Sequence, residues 1–174
     1  VTTGINSIQG AIFGHANGDL TTSNHKVLSG LGVSISVICA TDGKFITVGR
    51  DTELLTLNSN FEPQWSSEVG TISTISSGFL VNNKPTIWAG IQDGIDGLLK
   101  VIRQDDSEII STMVCGKINC IDSNGTRIAV GDEKGELFVW QDEMFNRRLT
   151  SNVVDDNDER RESLRERLKS LRKR

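Results

Sequence analysis

The chain has 174 residues, 36% hydrophobic and 24% charged, with 17 Gly, 2 Pro and no Tyr. That is enough to bury one core, and it excludes a collagen-like, disulfide-framework or wholly disordered chain. The net charge of −4 is uneven: residues 155–174 hold eight Arg/Lys and six Asp/Glu, whereas the remainder holds 11 basic and 17 acidic residues. The acidic body lacks the concentrated positive charge of a phosphate-binding surface, so nucleic acid is not its expected partner.

The first 33 residues read as a compressed β unit. Ala11, Ile12, Phe13 and Gly14 form its second strand, residues 15–19 its turn, and residues 26–31 an outer strand. Residues 34–70 open with Ser34-Ile35-Ser36-Val37-Ile38-Cys39, whose period of two marks a half-buried strand. A turn at Asp42-Gly43 leads to a second strand over 45–49, a third over 53–57 and a weaker fourth over 63–68. Residues 71–116 repeat the plan: Ile72 and Ile75 in the opening strand, a turn at Asn82-Asn83, a second strand over 86–90, a third over 98–102 and a fourth over 108–115. Residues 117–153 repeat it again, with Ile118 and Ile121, a turn at Asn124-Gly125, strands over 127–131 and 136–140, and a fourth strand over 147–153. Each second strand ends on Gly, and the full openings are spaced by 37 and 46 residues. The fold class expected is all-β, with about four four-stranded antiparallel meanders and a C-terminal α-helix. One such sheet cannot bury both faces alone, but sheets stacked radially can.

Segment 128–141, Ile-Ala-Val-Gly-Asp-Glu-Lys-Gly-Glu-Leu-Phe-Val-Trp-Gln, resembles the second and third strands of a WD-repeat (WD40-like) β-propeller blade. It includes the acidic turn and the closing Trp140. Arg50-Asp51 and Asp93-Gly94 resemble degenerate forms of that turn. No Gly-His pair precedes a first strand, and Gln141 stands where an acidic residue is common. The resemblance covers roughly residues 1–150. It implies blades over residues 1–153 whose turns after the second strands line one face and meet protein partners. Those turns carry Arg50, Asp51, Asp93, Asp96, Asp132 and Lys134. Their alternative role is that of ordinary solvated turn residues. Four units either close as a very small ring or form part of a larger one, completed by another segment or chain. The missing initiator Met and the absence of a clear ring-closing strand favour the second arrangement.

Residues 154–174 form the charged tail. Acidic residues come first and basic residues last, which suits a helix dipole. Leu164, Leu168 and Leu171 make a narrow apolar stripe for a helix partner. A helix of this length is marginal alone in water. No stretch approaches the roughly 18 apolar residues of a membrane span, and the first ten residues lack a secretory leader.

No specific catalytic, cofactor or metal constellation emerges. His15 and His25 lie in turns or loops. Cys39, Cys115 and Cys120 sit in or beside apolar runs and read as three buried, reduced thiols acting as small hydrophobes, consistent with an intracellular, cytoplasmic or nuclear setting. Asp93 and Asp96 lack the ligand spacing of a calcium loop. The expected function is a non-catalytic protein-interaction scaffold or assembly subunit. Its alternatives are a propeller enzyme or small-ligand binder using the central channel, or RNA or membrane contact through the tail.

Overall fold

The structure is a computed structural model that describes residues 1–7, 10–41 and 44–154, with side chains described to residue 150. The strands form four antiparallel sheets, each a meander whose spatial order follows the chain. Blade one comprises β1 (Thr3–Ser7), β2 (Gly10–Gly14), β3 (Asp19–Thr22) and β4 (Val27–Gly30). Blade two comprises β5 (Val37–Thr41), β6 (Phe45–Arg50), β7 (Glu53–Leu57) and β8 (Pro63–Glu68). Blade three comprises β9 (Thr71–Ser77), β10 (Thr86–Asp93), β11 (Asp96–Arg103) and β12 (Ile109–Cys115). Blade four has three strands, β13 (Ile118–Ser123), β14 (Arg127–Asp132) and β15 (Leu137–Gln141).

The first strands β1, β5, β9 and β13 lie beside one another in that order. Because side chains alternate across a strand, each sheet offers one face to the preceding blade and the other to the next. Ile12 and Leu20 of blade one thus share a buried cluster with Ile38, Ile46, Val48, Leu55 and Leu57 of blade two. Cys39 and Leu54, on the opposite face of blade two, cluster with Ile75, Ala89, Ile91 and Ile102 of blade three. Between blades three and four, Trp88 meets Trp140 at a centroid distance of 5.5 Å. Fully burying each such aliphatic side chain stabilises by about 1.5–3 kcal/mol. Two hydrogen bonds tie blade three to blade two and its following segment: Trp65 Nε1 donates to Gln104 O at 2.6 Å, and Lys100 Nζ donates to Val69 O at 2.7 Å.

The glycine near the end of each second strand has a packing reason. A Cβ placed on Gly14 would stand 2.7 Å from Ile35 Cγ2, on Gly49 3.2 Å from Ile72 Cδ1, and on Gly90 3.0 Å from Ile118 Cβ. The isoleucine that opens one blade therefore rests on bare backbone of the blade before it. The repeat read from the sequence is a chain of knobs and holes.

The structure departs from the sequence reading in four places. The fourth strand expected over 147–153 is absent. The chain instead forms a helix, α1 (Asp142–Val154). Glu143, Met144, Arg147, Arg148 and Leu149 are good helix formers, and Asp142 Oδ1 accepts from Glu143 N at 2.7 Å in an acidic first turn, which suits the helix dipole. Blade one gains β1, which the sequence reading lacked, and β3 begins at Asp19, inside the expected turn. In blade three the expected turn at Asn82-Asn83 is present, with φ of 52° and 62° and reciprocal Val81–Lys84 backbone hydrogen bonds, but it sits within a longer connection, residues 78–85, that buries Phe79 and Val81. The expected turn at Asp42-Gly43 lies outside the described residues. Asn124-Gly125 does turn the chain: Gly125 has φ 88°, and Asn124 Oδ1 accepts from Arg127 N at 2.9 Å.

Candidate partner-binding surface

The shared meander order brings the turns between second and third strands to one end of the blades. Blade one presents the turn after Gly14, where Asn17 Nδ2 donates to Asp19 Oδ2 at 2.7 Å. His15 Nε2 is spoken for by Thr21 Oγ1 at 2.8 Å. In blade two, Arg50 and Glu53 face each other across the hairpin and form an ion pair. The Ser66 hydroxyl, and after it Arg50, hold the Glu53 carboxyl below the usual carboxylate range. Asp51 is exposed at φ 52°, and its carbonyl accepts from Ile72 N at 3.1 Å, so this turn also anchors the start of blade three.

In blade three, Asp93 and Asp96 are cross-strand partners at the end of the hairpin. Between them Gly94 takes φ 61°, and Ile95 stands 87% exposed at the tip. In blade four, Asp132 points inward. It is buried, and its Oδ1 accepts from Lys134 N at 3.0 Å and Glu136 N at 2.9 Å. Asp132 shapes the turn, while Glu133 and Lys134 reach solvent.

Of the six turn residues singled out from the sequence, Asp51, Asp93, Asp96 and Lys134 are exposed, Arg50 is held by Glu53, and Asp132 faces inward. Leu164, Leu168 and Leu171 lie outside the described residues. The sequence reading missed Ile95, although an isoleucine between two hairpin aspartates has no core to join and could have been flagged. The exposed side chains of these turns are mostly acidic, and Ile95 is a bare apolar tip among them.

A groove of about 380 Å³ lies elsewhere, along β1 and β2, lined by residues 1–6 with Ala11 and Phe13. None of those side chains is titratable. No helix among the described residues is long and apolar enough to cross a membrane.

Of the three thiols expected to be buried, only Cys39 is, because Cys115 and Cys120 stand on strand faces that the described residues leave partly or fully open. Cys120 is exposed, Cys115 is half-buried and donates to Gly97 O at 3.7 Å, and Cys39 is buried. Burial, and then the charge of Asp132, raises the Cys115 pKa, while burial pushes the Cys39 thiol from 9.0 up to about 12. Alkylation of the native protein followed by peptide mass mapping is expected to modify Cys120 first, Cys115 more slowly and Cys39 only on unfolding. The sign of the pH effect follows. Stability from the protonated Cys39 is intact below about pH 9 and lost as pH rises from about 9 towards 12. The urea midpoint is expected to fall over that window, and Cys39→Ala to remove part of the fall.

Radial meanders with their second-to-third turns at one end are the architecture of known propellers, and comparison with solved structures agrees. A BBS1N structure in complex with ARL6DN superposes with a TM-score of 0.62 at 11% identity, over 76% of this chain and 46% of that one. The WD40 domain of Neurospora crassa Pan2 superposes with a TM-score of 0.61 at 11% identity, over 82% of this chain and 49% of that one. The chain has the β-propeller fold. The computationally designed Ika4 protein matches over 80% of this chain and 89% of its own, with a TM-score of 0.60 at 15% identity. The chain thus spans about half the length of the first two and nearly the whole of the third. No sequence-family profile matches it.

Proposed function

We infer that the chain is a non-catalytic interaction module that binds a protein partner through the turn edge of its blades, as a scaffold or subunit of a larger assembly. The observation that carries this reading is the tip of blade three. A bare Ile95 flanked by Asp93 and Asp96 sits on a hairpin whose backbone is held by blade three on both sides. Rigid strands present such loops at little entropic cost, and loops carry binding residues. Asp51 and Glu133 extend the same acidic bias. The partner surface that fits is basic, with an apolar recess for Ile95. The similar BBS1N structure was solved with a protein bound, which supports a protein partner. Residues 155–174 supply a second contact to a partner helix through Leu164, Leu168 and Leu171. Unpaired thiols support a reducing setting, cytoplasmic or nuclear.

The test is quantitative affinity capture with the full chain as bait. Ile95→Asp, or Asp93→Lys with Asp96→Lys, is expected to leave the thermal melt unchanged and weaken partner recovery by about tenfold, the ~1.4 kcal/mol of a central contact. Deleting residues 155–174 is expected to weaken recovery with the blades still folded. Recovery unchanged by all three changes contradicts the reading.

A further inference from the structure

Residues 109–115 read Ile-Ile-Ser-Thr-Met-Val-Cys, a β-branched run with no charge, Pro or Gly. They form β12, the outermost strand of blade three, and among the described residues it pairs only with β11. The other side of its backbone therefore presents a row of N–H and C=O groups that no described strand meets. An edge of this kind recruits a further strand unless something blocks it. The outer strands of blades one and two are blocked in ordinary ways. β4 has four residues and ends on Gly30, whereas β8 opens on Pro63, which has no N–H to offer, and ends on Glu68. β12 has seven residues and neither device. Its register shifts once, near its start, so residues 111–115 run in unbroken register with 97–101.

The side chains add an apolar flank to this edge. Cross-strand partners share a face. Leu98 and Ile102 face blade two, since both pack with Cys39 and Leu54, and Lys100 Nζ reaches Val69 O on the same side. Their partners Val114, Ile109 and Thr112 therefore line the blade-two side of β12. All three are exposed, Val114 at 75% and Ile109 at 42%. Charge distinguishes the two ends. Just before β12, Asp105, Asp106 and Glu108 gather around Arg103, and Asp105 also meets Lys84. Three carboxylates thus share two cations, with carboxylate side chains 41–57% exposed. β12 itself holds no cation. Lys117 beyond it is half-buried at the entry to blade four, where its carbonyl accepts from Glu133 N at 2.8 Å. The β12 of a second copy therefore brings no basic residue to the acidic end.

We propose that β12 accepts an extended segment of a partner protein as a fifth, antiparallel strand of blade three. The segment alternates apolar and small polar residues, its apolar side chains lying over Val114 and Ile109, and a pair of basic residues follows it. Every pairing in this sheet is antiparallel, and antiparallel pairs are the more stable per residue. That direction brings the end of the partner segment beside Glu108, where its basic residues meet the surplus carboxylate. Main-chain hydrogen bonds supply the affinity, and the charges set direction and register. This inference rests on the edge of blade three and not on contact through Ile95 at the turn edge.

The test is residue-resolved hydrogen exchange of the full chain, alone and with a capped peptide of sequence Thr-Val-Thr-Val-Thr-Ile-Lys-Arg. In the free chain, the alternate amides of 111–115 that point away from β11 are expected to exchange freely. Peptide at about ten times its dissociation constant is expected to slow them about tenfold. Methylating alternate peptide nitrogens is expected to abolish that protection, because edge pairing uses them as donors. Val114→Lys changes an exposed side chain, so it is expected to keep the native melt and weaken the peptide at least tenfold. Exchanging the peptide's Lys-Arg for Glu-Glu is expected to weaken it as well. Amides already protected in the free chain would mean that residues 155–174 or a second copy covers the edge, and would overturn the proposal. So would no protection at about 1 mM peptide, or binding that survives both N-methylation and Val114→Lys. Ile95→Asp is expected to leave the peptide's effect intact, so failure here and failure of capture at the turn edge are separate results.

Discussion

Trp88→Ala is expected to cost about 3–5 kcal/mol, the range for removing a large aromatic from a packed interior. Trp88 is fully buried in the second strand of blade three. Phe79 from the inserted loop meets it edge-on at 5.4 Å, and Trp140 of blade four meets it from the other side at 5.5 Å. Its Nε1 donates to Thr86 Oγ1 at 3.2 Å, and that hydroxyl in turn donates to Phe79 O at 2.8 Å. Removing the indole empties the junction of three elements, and rigid strands on both sides restrict collapse into the space. Thermal unfolding is expected to show Tm lower by about 10–15 °C, with Trp88→Phe falling well short of that. A loss below about 1 kcal/mol would mean that blades three and four do not meet over this residue.

Gly90→Val is expected to be nearly as damaging, by about 2–4 kcal/mol, as overpacking of a filled interface. The new side chain would meet Ser73 Oγ at 2.8 Å and Ile118 Cβ and Cγ2 at 3.0 Å. Ile118 opens the first strand of blade four, so it cannot step aside without moving that strand. Gly14→Val is expected to behave alike against Ile35, whose Cγ2 would lie 2.7 Å from the new Cβ. Urea titration of the two variants beside Gly131→Val checks the series. The two interior glycines should lower the midpoint sharply, and Gly131→Val, whose new Cβ would meet only Cys120 Sγ among the described residues, should lower it least.

The elements most legible in the sequence were those rich in β-branched residues between turn signals, even where a β-bulge interrupts the alternation, as in β9 and β13. The Ile72 to Ile75 and Ile118 to Ile121 pairs announced inner strands, and Pro63–Glu68 emerged at its expected bounds. The closing glycines were visible as a repeat, but not their cause, because the isoleucines that need them lie 21–28 residues further on, in the next blade. β1 was hidden because Thr3, Gly4, Asn6 and Ser7 carry almost no apolar signal. Segment 147–153 was read as a strand by analogy with the units before it, and helix propensity together with the acidic first turn at Asp142 and Glu143 prevailed. At the turn edge, charge was legible but direction was not. Asp132 and Asp93 look alike in sequence, yet one is drawn inward by two backbone N–H groups and the other meets solvent.

The packing scheme makes one direct demand on distance. With isoleucine methyls labelled in an otherwise deuterated chain, and glycine Hα retained, nuclear Overhauser effects are expected from Ile35 to Gly14, from Ile72 to Gly49 and from Ile118 to Gly90. Methyl signals from those three isoleucines that reach only residues of their own sheet would show that the sheets do not stack in chain order, and would contradict the blade architecture.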